Sequence, residues 1–237
     1  MTNWGEIPAV MAEGFLPDPC PWSPDLPFLY RVVGTIRLGE RTIAEIHQTF
    51  GIRPLSVVRN RIKFQERTWV PRAVHQSIFE NAPKLEQWRD SASTLIAENS
   101  NFEFLNAADD VGVSVIAKLP DDATGQDVVR RLSRHPSVMF VHSGAFLRSE
   151  FRDAARNTLF ICCNPRSFSE FAEPDVLEVC IDDASAHIQD ATNGSLSMPI
   201  FVCRMLESAT NMGDARSACD TLQRDVIGLC DPAGYIV

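Results

Sequence analysis

The sequence predicts an α+β protein. An N-terminal winged helix-turn-helix is followed by a ferredoxin-like β-α-β-β sandwich with a C-terminal extension. Three observations predict it. Between Phe28 and Ile62 the apolar residues recur at helical spacing, punctuated by Gly51 and Pro54. From Val111 the period changes to alternation, and short apolar runs follow one another around an amphipathic segment. Charge divides along the same line. Phe28 to Asp90 carries eleven basic and six acidic residues, and the remainder carries eleven and twenty-five, within a net charge of −9. A basic segment on an acidic body points to a nucleic-acid contact.

Residues 17–27, PDPCPWSPDLP, hold five prolines in eleven positions. Proline removes a backbone donor and fixes φ, so residues 1–27 are expected to form an arm anchored by Trp4 and Trp22. The helix-turn-helix is expected over 28–73. Phe28, Leu29, Val32, Val33 and Ile36 share one helical face, and Ile43, Ile46 and Phe50 share the next. Gly51 permits the positive φ that ends a helix, and Pro54 suits the first turn of another, in which Leu55, Val58 and Ile62 point inward. Arg59, Asn60 and Lys63 then face outward, with Arg61 at the edge and Arg53 at the turn. Arg and Asn make bidentate contacts with guanine and adenine in the major groove, and a turn arginine clamps phosphate. Double-stranded DNA is therefore the expected partner of this segment.

Residues 74–102 read as a helical linker interrupted at Pro83, and 103–237 as an acidic domain for ligand sensing or dimerisation. VGVSVIAKL alternates as a strand with one buried face. Thr124 and Asp127 are spaced as a capping box for a helix that buries Val128, Val129 and Leu132. SVMFVHSGAFL, NTLFICCN, DVLEVCI and MPIFVCRML are further strands, with the polar stretch SAHIQDATNGSLS before the last. DARSACDTLQRDVIG is expected to bury Ala215, Ala218, Leu222 and Val226 on one helical face, ahead of the apolar end GYIV.

Seven cysteines, an odd number set in apolar runs, do not form a secreted disulfide framework. With no CxxC or HExxH and no Gly-rich phosphate loop, no metal or cofactor is expected and no catalytic residue is assigned. The longest apolar runs fall far short of the roughly 18 residues of a membrane helix, and no basic leader precedes an apolar stretch. A cytoplasmic chain without a membrane partner is expected. Cys162-Cys163 beside Arg166, with His142 or His187 as base, offers a thiol nucleophile. Adjacent strand residues face opposite sides, however, and two core cysteines are the simpler reading. Asp109-Asp110, Asp121-Asp122 and Asp182-Asp183 read as turns or caps, the last being the most site-like. His135 before Pro136 ends a helix, and Trp69 packs in a core. A non-catalytic assembly protein that uses the Pro-rich arm on a partner is the alternative to a regulator.

GERTIAEIHQTFGIRPLSVVRNRIK resembles the DNA-binding head of the Lrp/AsnC (feast/famine) transcription regulators. VSVIAKL, VVRRLSRHPSVMFVHSG and LFICC resemble their sensor sandwich. The resemblance implies a homodimer or larger assembly that binds DNA and responds to a small-molecule effector. It also implies a ligand-binding turn at Gly144.

Overall fold

The computed structural model describes residues 15–98, 101–120, 126–145, 147–155, 157–163, 172–181 and 198–237. The helix-turn-helix expected over 28–73 is replaced by strands. β1 (Tyr30–Leu38) and β2 (Arg41–Phe50) form a long antiparallel ribbon, turned at Gly39-Glu40. β3 (Leu55–Val58), β4 (Arg61–Phe64) and β5 (Arg67–Thr68) form a second small antiparallel sheet. The physical reason is composition. Val32, Val33, Thr35, Ile36, Thr42, Ile43 and Thr49 are β-branched, and such residues lose χ1 freedom in a helix but fit a pleated surface. Tyr30, Val32 and Ile36 on β1 lie opposite Phe50, Gln48 and Ala44 on β2, so one face of the ribbon is largely apolar. That period of two underlies the helical spacing.

The predicted ferredoxin-like sandwich is likewise replaced. Among the described residues, eight parallel strands pair in sequence order: β6 (Arg72–His75), β7 (Thr94–Ala97), β8 (Val115–Lys118), β9 (Val138–His142), β10 (Leu159–Cys162), β11 (Val176–Cys180), β12 (Ile200–Cys203) and β13 (Gly234–Ile236). β13 pairs back onto β6 and closes the ring. Helices α1 (Leu85–Asp90), α2 (Phe102–Val111), α3 (Gln126–Leu132), α4 (Ser149–Ala154) and α5 (Met212–Val226) lie in the crossovers. This is the (β/α)8 barrel. Runs such as LFIC and IFVC are apolar throughout because their strands are covered on both faces, as parallel sheets require. The helical linker expected at 74–102 thus contains β7 and the second half of β6, with α1 between them.

Alternation along each strand divides the apolar side chains into two cores. Ala73, Ile96, Ile116, Phe140, Ile161, Val176, Phe201 and Ile236 fill the barrel interior. Val74, Leu95, Ala117, Val141, Phe160, Val202 and Tyr235 face the helices. α5 packs the expected stripe outside: Ala215, Leu222 and Val226 are buried with Cys219, and Ala218 is half-buried.

The small β3–β4–β5 sheet packs on the interior core. Trp69 stacks on Phe140 with ring centroids 5.9 Å apart, and Ile62 is fully buried. The segment before the ribbon is tied in as well. Trp22 donates its amide to the Ile52 carbonyl at 2.7 Å and its indole N–H to the Asp109 carbonyl at 2.9 Å. Gly112, the left-handed C-cap of α2 at φ +89°, lies against the same segment. A Cβ there would stand 2.4 Å from the Pro24 carbonyl oxygen. Gly112→Ala is expected to cost about 1–3 kcal/mol from strain and overpacking together, read as a fall in the urea midpoint. An unchanged midpoint would show that this segment is free to move away. Among the described residues no helix is long and apolar enough to cross a membrane.

Candidate functional site

The C-terminal ends of parallel barrel strands share one mouth, and side chains placed there converge. His75 ends β6, Glu98 follows β7, Lys118 ends β8 and His142 ends β9. Cys163 follows β10, and Glu178 stands on β11 one pleat beyond the interior residue Val176. These residues, with Gly144, Ile236 and the Met205–Glu207 segment after β12, line a cavity of about 690 Å³.

Two polar clusters organise the mouth. His142 donates from Nε2 to Glu178 Oε2 at 2.8 Å, both side chains being largely buried. Cys163 Sγ lies 4.0 Å from the same nitrogen, and the Gly144 amide approaches Nδ1 at 3.2 Å. Across the cavity Glu98 takes Lys118 Nζ at 3.4 Å, with His75 Nδ1 4.0 Å away. Burial alone would lower the His142 pKa. The Cys163 and Glu178 contacts outweigh it and push the ring up to about 9. The Gly144 amide requires a lone pair on Nδ1 and so opposes the charged ring. At 3.2 Å it is longer than the 2.8 Å bond to Glu178, which favours the charged ring. For Glu178, burial favours the neutral acid, but His142 more than offsets that and holds the carboxyl below its ordinary range. His75 is lowered, first by burial and then by Lys118. Burial raises the thiols of Cys162, to about 11, and Cys203, so neither supplies a thiolate at neutral pH.

The buried pair couples stability to pH. A raised histidine contributes stability that is complete below its unfolded value of 6.5 and is lost as pH rises through about 9. The lowered Glu178 contributes above its unfolded value of 4.5 and loses that as pH falls. Unfolding free energy is therefore expected to be highest between these values and to fall by about 3 kcal/mol toward pH 10. In His142→Gln the alkaline limb of chemical denaturation should flatten. A limb unchanged by that substitution would contradict the assignment.

The residues expected to meet DNA lie elsewhere, on the β3–β4 hairpin and the segment before it. Arg53 sends its guanidinium inward. It donates from Nη1 to the carbonyls of His135 at 2.9 Å, Pro136 at 3.3 Å and Val138, and from Nη2 to Asn157 O at 2.6 Å and Thr158 Oγ1 at 3.0 Å. Arg59 and Asn60 form the β3–β4 turn, Arg59 with φ +58°. Arg61 pairs with Asp231, and Lys63 donates to Thr68 Oγ1 at 2.8 Å. Gly144 does line a cavity, at φ +74°. Adjacent Cys162 and Cys163 divide as expected, Cys162 in the outer core and Cys163 at the mouth. Asp109 is a buried acceptor for the His135 ring at 2.7 Å and the Ser137 amide at 2.9 Å, neither turn nor cap. Asp121-Asp122, Thr124, Arg166, Asp182-Asp183 and His187 lie outside the described residues. Sequence reasoning missed Glu98, Lys118, Glu178 and Glu207. The available signal was a lone charge inside or closing an apolar strand, as in VLEVC and VIAK. Among the described residues, no group of three or more His, Cys, Asp or Glu is placed to hold a metal.

A closed (β/α)8 barrel with a cavity at its strand C-termini that carries several charged side chains is the class of molecule the fold and site define. A model of glycosyl hydrolases family 2 matches residues 5–53, the arm and the ribbon. A crystal structure of a family 2 β-galacturonidase from Eisenbergiella tayi bound to galacturonate superposes with TM-score 0.66 and 15% identity, over 95% of this chain and 53% of that one. A family 2 member from Bacteroides cellulosilyticus gives 0.68 and 15%, over 92% and 34%. The β-glucuronidase of Ruminococcus gnavus gives 0.61 and 14%, over 92% and 51%. This chain therefore spans about half or less of the length of each. No curated protein matches the sequence. Together with the strands at 30–68, these likenesses in fold overturn both the Lrp/AsnC resemblance and the reading as a DNA-binding transcription regulator.

Proposed function

We propose that the chain is a carbohydrate-active barrel that holds a uronic-acid glycoside in its C-terminal mouth and cleaves it. The observation that carries this reading is the set of charged side chains in an otherwise largely apolar cavity of 690 Å³, Glu98, Glu178 and Glu207 on separate walls with Lys118 as the cation. Glycoside cleavage uses two carboxyl groups flanking the scissile bond, one ionised and one able to give a proton. Glu178, kept ionised by His142, suits the first role. Glu207, after β12 on another wall of the same cavity, is placed for the second. Lys118, half-exposed at the rim, suits the carboxylate of a uronate. The galacturonate bound in the Eisenbergiella protein and the glucuronidase neighbour support the same substrate class.

Calorimetric titration of the full chain with galacturonate, glucuronate and glucose tests the reading. Either uronate should bind more tightly than glucose, and Lys118→Ala should abolish that preference by weakening the uronate about tenfold. Equal affinity for all three sugars, or no saturable binding of any, would count against it.

A further inference from the structure

We propose a second ligand site, an oxyanion pocket at the seam between the ribbon and the barrel, at the opposite end from the mouth. A cavity of about 500 Å³ lies there between β2, α2 and the end of α3. His135 precedes the start of β9, whereas the mouth begins where β9 ends, so the two cavities occupy opposite barrel ends. Basic side chains outnumber acidic ones in its lining, with Arg131, Arg134, His47 and His135 against Asp109, and Phe102 is the aromatic among them.

Arg131 and Arg134 come from consecutive turns of chain, and neither has a carboxylate partner among the described residues. Their neighbour Arg130 differs, being held by Asp127 at 2.6 Å. Two like charges three residues apart repel one another unless a counter-charge joins them. The acid lining the cavity, Asp109, does not serve, because its oxygens are committed to the His135 ring and the Ser137 amide. Arg131 is also preset. Its guanidinium carbon lies 5.7 Å from the centre of the Phe102 ring, and the His135 ring stacks on the same phenyl group at 5.9 Å. An aromatic platform that orients a guanidinium leaves its planar fork of donors free for an anion with two or more oxygens.

The ligand chemistry is a multi-oxygen anion, a phosphoryl group or the carboxylates of a short uronate chain. The site does not depend on what the mouth binds. The test is titration of the full chain with inorganic pyrophosphate and, separately, with trigalacturonate, at low and physiological salt. Wild type should bind at least one of them saturably and more weakly at higher salt. Affinity should fall about tenfold for each of Arg131→Ala and Arg134→Ala, whose exposed side chains are not needed for folding. Arg131→Lys keeps the charge but loses the fork, and should recover only part of the affinity. Glu178→Gln, at the mouth, should leave pyrophosphate binding unchanged. Preference for pyrophosphate or trigalacturonate identifies the source of the anion. No saturable binding of either, or binding indifferent to both Arg131→Ala and Arg134→Ala, overturns the proposal.

Discussion

Arg53→Ala should lower the unfolding free energy by about 3–5 kcal/mol, among the largest single-residue effects in the chain. Arg53 reaches five acceptors that lead into β9 and follow α4. Hydrogen bonds to a charged donor contribute more than neutral ones, and carbonyls left unpaired by truncation keep their desolvation cost. Burial pulls the guanidinium down to about 10, with Asp109 opposing, and it remains charged at neutral pH. The clamp is not perfect, since Nε has no acceptor. Arg53→Lys should recover little, because one ammonium cannot span both carbonyl groups of acceptors. Urea denaturation reads the loss. A change below about 1 kcal/mol would show that these strand ends are held by packing alone.

Glu178→Gln should reduce the hydrolysis of an aryl β-galacturonide or glucuronide by at least about a hundredfold, through kcat. The substitution keeps the shape of the side chain but removes the anion that glycoside cleavage requires. It also removes what keeps His142 charged, so the alkaline fall in stability should shrink in the same variant. A merely structural role would move stability and leave kcat intact. Glu207→Gln should lower kcat for poor leaving groups more than for activated aryl ones, the signature of a lost proton donor.

Much of the barrel was legible as pieces. VIAK, VMFVH, LFIC, VLEVC and IFVC were identified as strands, and the buried stripe of α5 was read from Ala215, Leu222 and Val226. Their assembly was not. Short strands buried on both faces carry no alternation to show which neighbour they pair with, and ring closure joins β6 to β13 across most of the chain. The ribbon misled for a different reason. Ile43, Ile46 and Phe50 satisfy a helical period, while the pairing that decides the matter aligns Ile36 with Ala44 and Tyr30 with Phe50. The site was legible in part. Gly144, His142 and Cys163 were singled out and all line the mouth, the last two 4.0 Å apart, but His142 and Glu178 are thirty-six residues apart and meet only because their strands enclose one barrel. The basic residues Arg53, Arg61 and Lys63 gave a true charge pattern with a different use, since each is committed to contacts within the fold.

A crystal structure of the full chain with galacturonate should place the sugar at the C-terminal mouth, its carboxylate against Lys118 and its anomeric carbon facing Glu178. A mouth left empty at saturating ligand, or a sugar seated only elsewhere, would contradict the proposed function.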